Sequence, residues 1–227
     1  VTDKAHIIRD YFEGWQGDLS RAKCLLEDHT CYYCEGILVL SCHIGALGSL
    51  RYPDEKDNEA YKRVVREYSR KQDFYDQIDL LFFLQWPRSI FQSHGDYRDL
   101  RNHADISKVI VATYGEEDQI KNGERYISQH DFIASVGQAP FPGFDRENLR
   151  GNLPLFSLCE MLYRYLRCRA VHSVRFPFVD RMTSVDGSIR YEDNHAITGP
   201  VLLETTENIL ANLSSQCIKQ SQWPWEL

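Results

Sequence analysis

The longest apolar run of the chain, residues 36–50, is interrupted by little more than Ser41, His43 and Ser49. It is shorter than the roughly 20 residues a membrane-spanning helix needs, so it predicts a helix buried in a protein core. Other segments must then supply the apolar faces that cover it. They recur at helical spacing. Residues 1–16 predict a short amphipathic helix with Ile7, Ile8, Tyr11, Phe12 and Trp15 on one side, and Asp18 or Ser20 is placed to cap a second helix running to about Leu50. In that helix Gly36, Gly45, Ala46 and Gly48 are small enough to admit a close neighbour. Further helices are expected over residues 59–68, 74–86 and 201–218. Pro154 suits the first turn of another, ending near Ala170.

Between the helices the pattern loosens. Residues 88–152 predict an insertion of short elements, in which 106–114 (ISKVIVATY) is β-branched enough for a strand and 137–143, with Pro140 and Pro142, a loop. Residues 174–182 and 189–193 flank Asp186-Gly187 and predict a hairpin-like excursion. The fold class expected is mainly α: one domain over residues 1–227, an antiparallel helical bundle with 88–152 as a central irregular insertion. Asn194 and His195 could cap the last helix.

Charge singles out one segment. The chain is net negative at −7, yet Arg164, Arg167, Arg169, Arg175 and Arg181 fall between Met161 and Arg181 against a single acid, Asp180. An acidic chain lacks the broad basic surface that sequence-independent binding of long nucleic acid requires, so any such contact is local to this cluster. Within it Arg167 precedes His172 by five residues. Guanidinium can hold a phosphate in bidentate fashion, and imidazole moves a proton near neutral pH. The plainer alternative is a solvated helix end whose cations suit the helix dipole. Tyr163, beside the cluster, could stack on a base.

The segment Arg167-Cys168-Arg169-Ala170-Val171-His172, following an apolar helix, resembles the R-x(4–6)-H signature of the HEPN superfamily. The resemblance covers residues 153–172 best. Cys168 stands where that superfamily usually has a polar residue. The resemblance implies a dimerising helical bundle, and catalytic members are metal-independent ribonucleases of toxin–antitoxin, CRISPR-associated and other anti-phage systems. Arg167 and His172 would then be catalytic, with Arg164, Arg169, Arg175 and Tyr163 binding RNA or a nucleotide. A homodimer, no cofactor and an antitoxin or defence partner protein would follow. Other relatives only bind nucleotides or proteins, which keeps a non-catalytic binding module as the alternative.

Geometry constrains that pair. Residues five apart on an α-helix lie about 140° apart around its axis. Either the helix ends near Ala170 and turns His172 back, or a second subunit completes the site. A rival match, Arg98-Asp99-Leu100-Arg101-Asn102-His103, has the same spacing without a sustained apolar stripe and suits a surface turn.

Metal is not expected. Cys31-x-x-Cys34 has ligand spacing, but no second pair accompanies it, and Cys24, Cys31, Cys34, Cys42, His29 and His43 suit packing along a helix. Glu35 and His43 suggest a buried polar brace. Seven cysteines without dense spacing, and a start lacking the apolar core of an export signal, predict a cytoplasmic protein without a membrane partner. Phosphate-loop, dinucleotide and serine-hydrolase motifs are missing from the sequence.

Overall fold

The computed structural model describes residues 4–28, 32–86, 100–138 and 141–227. They are mainly helical with two small antiparallel sheets. The chain divides into two compact units, the first Val1–Gln72 with Leu162–Leu227, the second Asp73–Met161.

In the first unit α1 (Lys4–Glu27), α2 (Tyr33–Arg51), α3 (Asp57–Tyr68) and α12 (Gly199–Gln220) pack against one another. The boundary expected near Asp18 does not exist. Ser20 Oγ donates back to the Gln16 carbonyl and Asp18 pairs with Arg21, so neither side chain caps a new helix. Ile8, Phe12, Leu19, Ala22 and Leu26 are buried along one continuous helix, and the helix period simply runs through Gly14 and Gly17.

The apolar 36–50 run forms most of α2. By length and composition α2 could cross a membrane; here Ile37, Leu40, Ile44 and Leu47 are buried against the other helices of the unit. Each such aliphatic side chain stabilises by roughly 1.5–3 kcal/mol relative to exposure. Its glycines act as expected at two points. A Cβ on Gly36 would lie 2.8 Å from the Leu26 side chain, and one on Gly48 would lie 2.9 Å from the Ala60 carbonyl oxygen. Ala46 is exposed instead.

The returning part of this unit begins with a π-helical stretch, Leu162–Arg167, and continues as α11 (Cys168–Ser173). A hairpin follows, β3 (Val179–Thr183) paired antiparallel with β4 (Ile189–Asp193), with Arg181 opposite Tyr191. Gly187 takes the left-handed conformation its turn needs, at φ 84°. Thr198, not Asn194 or His195, caps α12 by accepting from the Val201 amide. His195 is buried, its ring stacked on Phe178 at 4.2 Å. Tyr33 ties the region together: its hydroxyl donates to Asp193 and accepts from the Gly199 amide at 3.0 Å. Burial and that acidic neighbour push the phenol far above its usual range. The C-terminal turn Pro224–Glu226 is docked on α1, with Glu226 on Lys4 and Trp223 edge-on to Tyr11.

The second unit contains α4 (Gln72–Tyr75, whose first residue belongs to the other unit), β1 (Ile78–Asp79), α5 (Leu80–Gln85), α6 (His103–Tyr114), α7 (Glu117–Asn122), β2 (Tyr126–Ile127), α8 (Gln129–Gln138), α9 (Arg146–Asn152), a 3-10 turn Leu153–Phe156 and α10 (Leu158–Met161). Three expectations change here. The helix expected over 74–86 is split by β1, because Asp79 is fully buried, caps α5 through the Phe82 amide and binds Arg125. The strand expected over 106–114 is helical: Ile106 and Ile110, four apart, are the two buried positions of α6. Pro154 opens the 3-10 turn, and Ser157 bridges to Ile78 before the α-helix begins. Of the expected 137–143 loop, residues 139 and 140 lie outside the described residues.

Candidate functional site

The arginine-rich segment starts in the π-helical stretch. Such stretches widen a helix locally and often accompany functional sites. Tyr165 and Leu166 turn inward and are buried, while Tyr163, Arg164, Arg167, Cys168 and Arg169 are half-buried. Arg167 reaches α3. Its Nη1 lies 3.0 Å from Asp57 Oδ2 and its Nη2 donates to Oδ1 at 3.3 Å. The same carboxylate accepts the Tyr163 hydroxyl at 2.9 Å. The guanidinium also sits over the Tyr163 ring, 5.4 Å from its centre, and that ring is held edge-on by Tyr61 at 5.3 Å. Cys168 Sγ is 4.0 Å from Nη1.

Burial is the largest influence and opposes the charge on Arg167, yet Asp57 together with Cys168 and Tyr163 outweighs it and raises the guanidinium above its usual value. Burial, with the Asp57 bond second, pushes the Tyr163 phenol far up. The cluster therefore sets a charged guanidinium and a protonated tyrosine on one aspartate, with 18% of the arginine side chain and 46% of the aspartate exposed.

His172 lies elsewhere on the same helix. The helix does not end near Ala170. It continues to Ser173 and stops at Val174, a β-branched residue in the left-handed region at φ 51°. His172 is exposed in that last turn, and Arg175 is exposed beyond it. Arg167 is itself helical, at φ −59° and ψ −53°, so the 140° divergence expected for an unbroken helix applies. Tyr163, Arg167 and Asp57 are brought together; Arg167 and His172 point to different sides. Arg164 and Arg169 are held half-buried within the fold.

The rival motif is differently placed. Arg98 lies outside the described residues. His103 opens α6 with its ring stacked on Phe83 at 4.6 Å. Its Nε2 is 2.8 Å from the Phe83 carbonyl, which can only accept, so Nε2 carries the hydrogen and Nδ1 is left to meet Ser107 Oγ at 3.3 Å. Burial holds this imidazole below its ordinary pKa. Both nitrogens are used in packing.

Cys24 lies on α1 and Cys34 and Cys42 on α2, so a single helix does not carry them; Cys31 and His29 fall outside the described residues. Among the described residues no three of His, Cys, Asp and Glu are grouped to hold a metal. Burial raises the Cys34 thiol to about 11, which disfavours the thiolate a metal would need. Glu35 is exposed rather than part of a brace. His43 is half-buried against Trp15, and burial lowers its pKa.

Asp57 is the residue that sequence patterns could not single out. It stands 110 positions from Arg167, inside a polar run that signals only a helix start. The chain matches no protein-family model, no curated protein and no solved structure.

Proposed function

We propose that this protein is a HEPN-like, metal-independent endoribonuclease that works as a homodimer. The observation that carries the reading is the placement of an exposed His172 on the last turn of the helix whose earlier turn holds Arg167, with an exposed Arg175 just beyond its end. In the reaction the RNA 2′-hydroxyl attacks the adjacent phosphorus and the bond to the 5′ oxygen breaks. The products are a 2′,3′-cyclic phosphate and a 5′-hydroxyl. His172 takes the proton from the nucleophile or supplies one to the leaving oxygen, and Arg167 offsets charge on the phosphoryl oxygens. Because the two side chains diverge on one helix, a two-fold partner has to bring its own copies to the same cleft. Arg164, Arg169, Arg175 and Tyr163 then line the RNA path. A cytoplasmic setting and an antitoxin or defence partner belong to this reading.

A second reading, a non-catalytic nucleotide- or partner-binding module of the same fold, is favoured by the engagement of Arg167 with Asp57 and by Cys168 in the usual polar position. One experiment separates them. Under the first reading the purified dimer cleaves single-stranded RNA in EDTA and spares DNA, and Arg167→Lys and His172→Ala each reduce cleavage by roughly 100-fold or more. A nucleotide-induced rise in melting temperature without turnover supports the second. Cleavage that survives both substitutions defeats the site assignment.

A further inference from the structure

We propose that Asp57 is a positioning residue for Arg167, fixing one edge of the guanidinium so that another is presented to a phosphate. This rests on the ribonuclease reading above.

Three observations on two chain segments support it. First, Asp57 binds Arg167 end-on: one carboxylate oxygen faces Nη1 and the other accepts from Nη2, at 3.0 and 3.3 Å. That geometry leaves the side edge of the fork, with Nε–H, uncommitted, and among the described residues Nε has no partner. Bidentate recognition of an anion along such an edge is what guanidinium geometry favours. Second, the carboxylate is itself held. It accepts the Tyr163 hydroxyl at 2.9 Å, and its backbone is the first residue of α3. Third, the face of the guanidinium rests on the Tyr163 ring, which Tyr61 fixes from the side. A long flexible side chain is thereby restrained at its end and on one face before any ligand arrives.

A surface ion pair would need none of this. Exposed pairs typically have a single long side chain on each partner and contribute little. Here an aspartate with few rotamers meets an arginine whose side chain is 18% exposed. The charge has a further consequence. Asp57 is an anion beside the place where a second anion would bind, so it costs affinity while it secures direction. Removing its charge should separate those effects.

The test compares wild type with Asp57→Asn and Asp57→Glu, each checked for an unchanged melting temperature. Steady-state RNA cleavage should show kcat falling on the order of 10–100-fold in Asp57→Asn while KM stays level or drops. Asp57→Glu should recover part of kcat, because it restores the carboxylate with one extra methylene. Alongside, the Arg167 Nε–H signal is followed by NMR and assigned by its loss in Arg167→Lys. It should be sharp in wild type and Asp57→Glu and broadened in Asp57→Asn. An unchanged signal in Asp57→Asn overturns the positioning role, whatever the enzyme does. So does an unchanged kcat, or a joint loss of kcat and KM performance that follows a lowered melting temperature. Wild type without RNA cleavage, or cleavage that persists in His172→Ala, defeats the ribonuclease reading instead, and the NMR result stands apart from it.

Discussion

Each unit contains a carboxylate–guanidinium pair, and the two are built differently. In the Asp73–Met161 unit, Asp79 is fully buried, and Arg125 covers it through Nε and Nη2 at distances down to 2.7 Å. The same carboxylate caps α5. Both carboxylate oxygens are bonded inside the fold, and 16% of the arginine side chain is exposed. In the other unit the arginine is buried to the same degree, at 18% exposure, but Asp57 is almost half exposed and, among the described residues, Arg167 Nε has no partner. The histidines repeat the contrast. His103 is stacked and bonded at both nitrogens, whereas His172 is exposed on the last turn of α11. A charge with all its partners inside the fold braces it; one with a free edge is available to something outside.

The largest effect should come from breaking the pair on the buried Asp79. Arg125→Ala leaves the Asp79 carboxylate buried without its cation, which costs about 3–5 kcal/mol. Hydrogen exchange over α5 and β2 would record it, and a loss below about 1 kcal/mol would erase the distinction between the pairs. Removing the exposed partner of the open pair should be mild. Asp57→Ala should lower stability by about 1 kcal/mol or less, because the carboxylate is well exposed and screened; urea unfolding monitored in α3 measures this. A loss as large as that of Arg125→Ala would mean Asp57 is a brace after all.

The smallest effect sharpens the histidine comparison. Burial holds the folded-state pKa of His103 below its ordinary 6.5. On acidification the unfolded chain therefore takes up a proton before the folded one does. Its contribution is complete above about pH 6.5 and is lost as pH falls through the lower folded value. Exchange protection of α6 should fall between pH 7 and pH 5, and His103→Gln should flatten that slope. An unaltered slope in the variant would place the sensitivity elsewhere, His43 being the other imidazole that burial depresses.

Much of the helical framework was legible from apolar spacing. The buried positions of α2, the inward face of α12 and the hairpin around Gly187 all follow from residues that repeat or turn locally. Errors arose where a local signal had a competitor, near or distant. Asp18 and Ser20 look like caps, but their side chains found partners one turn away along a continuous helix. The β-branched 106–114 segment favours a strand on propensity alone, yet burying Ile106 and Ile110 together makes it a helix. Residues 74–86 have helical spacing throughout, and a buried aspartate seeking Arg125, 46 positions on, breaks them.

The candidate site divides in the same way. The sequence by itself determined that cations concentrate around residues 164–181 and that Arg167 lies on a helix with His172 five residues on, since composition and short-range periodicity are properties of neighbours in the chain. Only the tertiary structure decided which of these side chains is restrained and which is left exposed. That choice depends on groups such as Asp57 and Tyr61, brought to Arg167 and Tyr163 by the packing of α3, and a carboxylate has no way of announcing along the chain which cation it will meet.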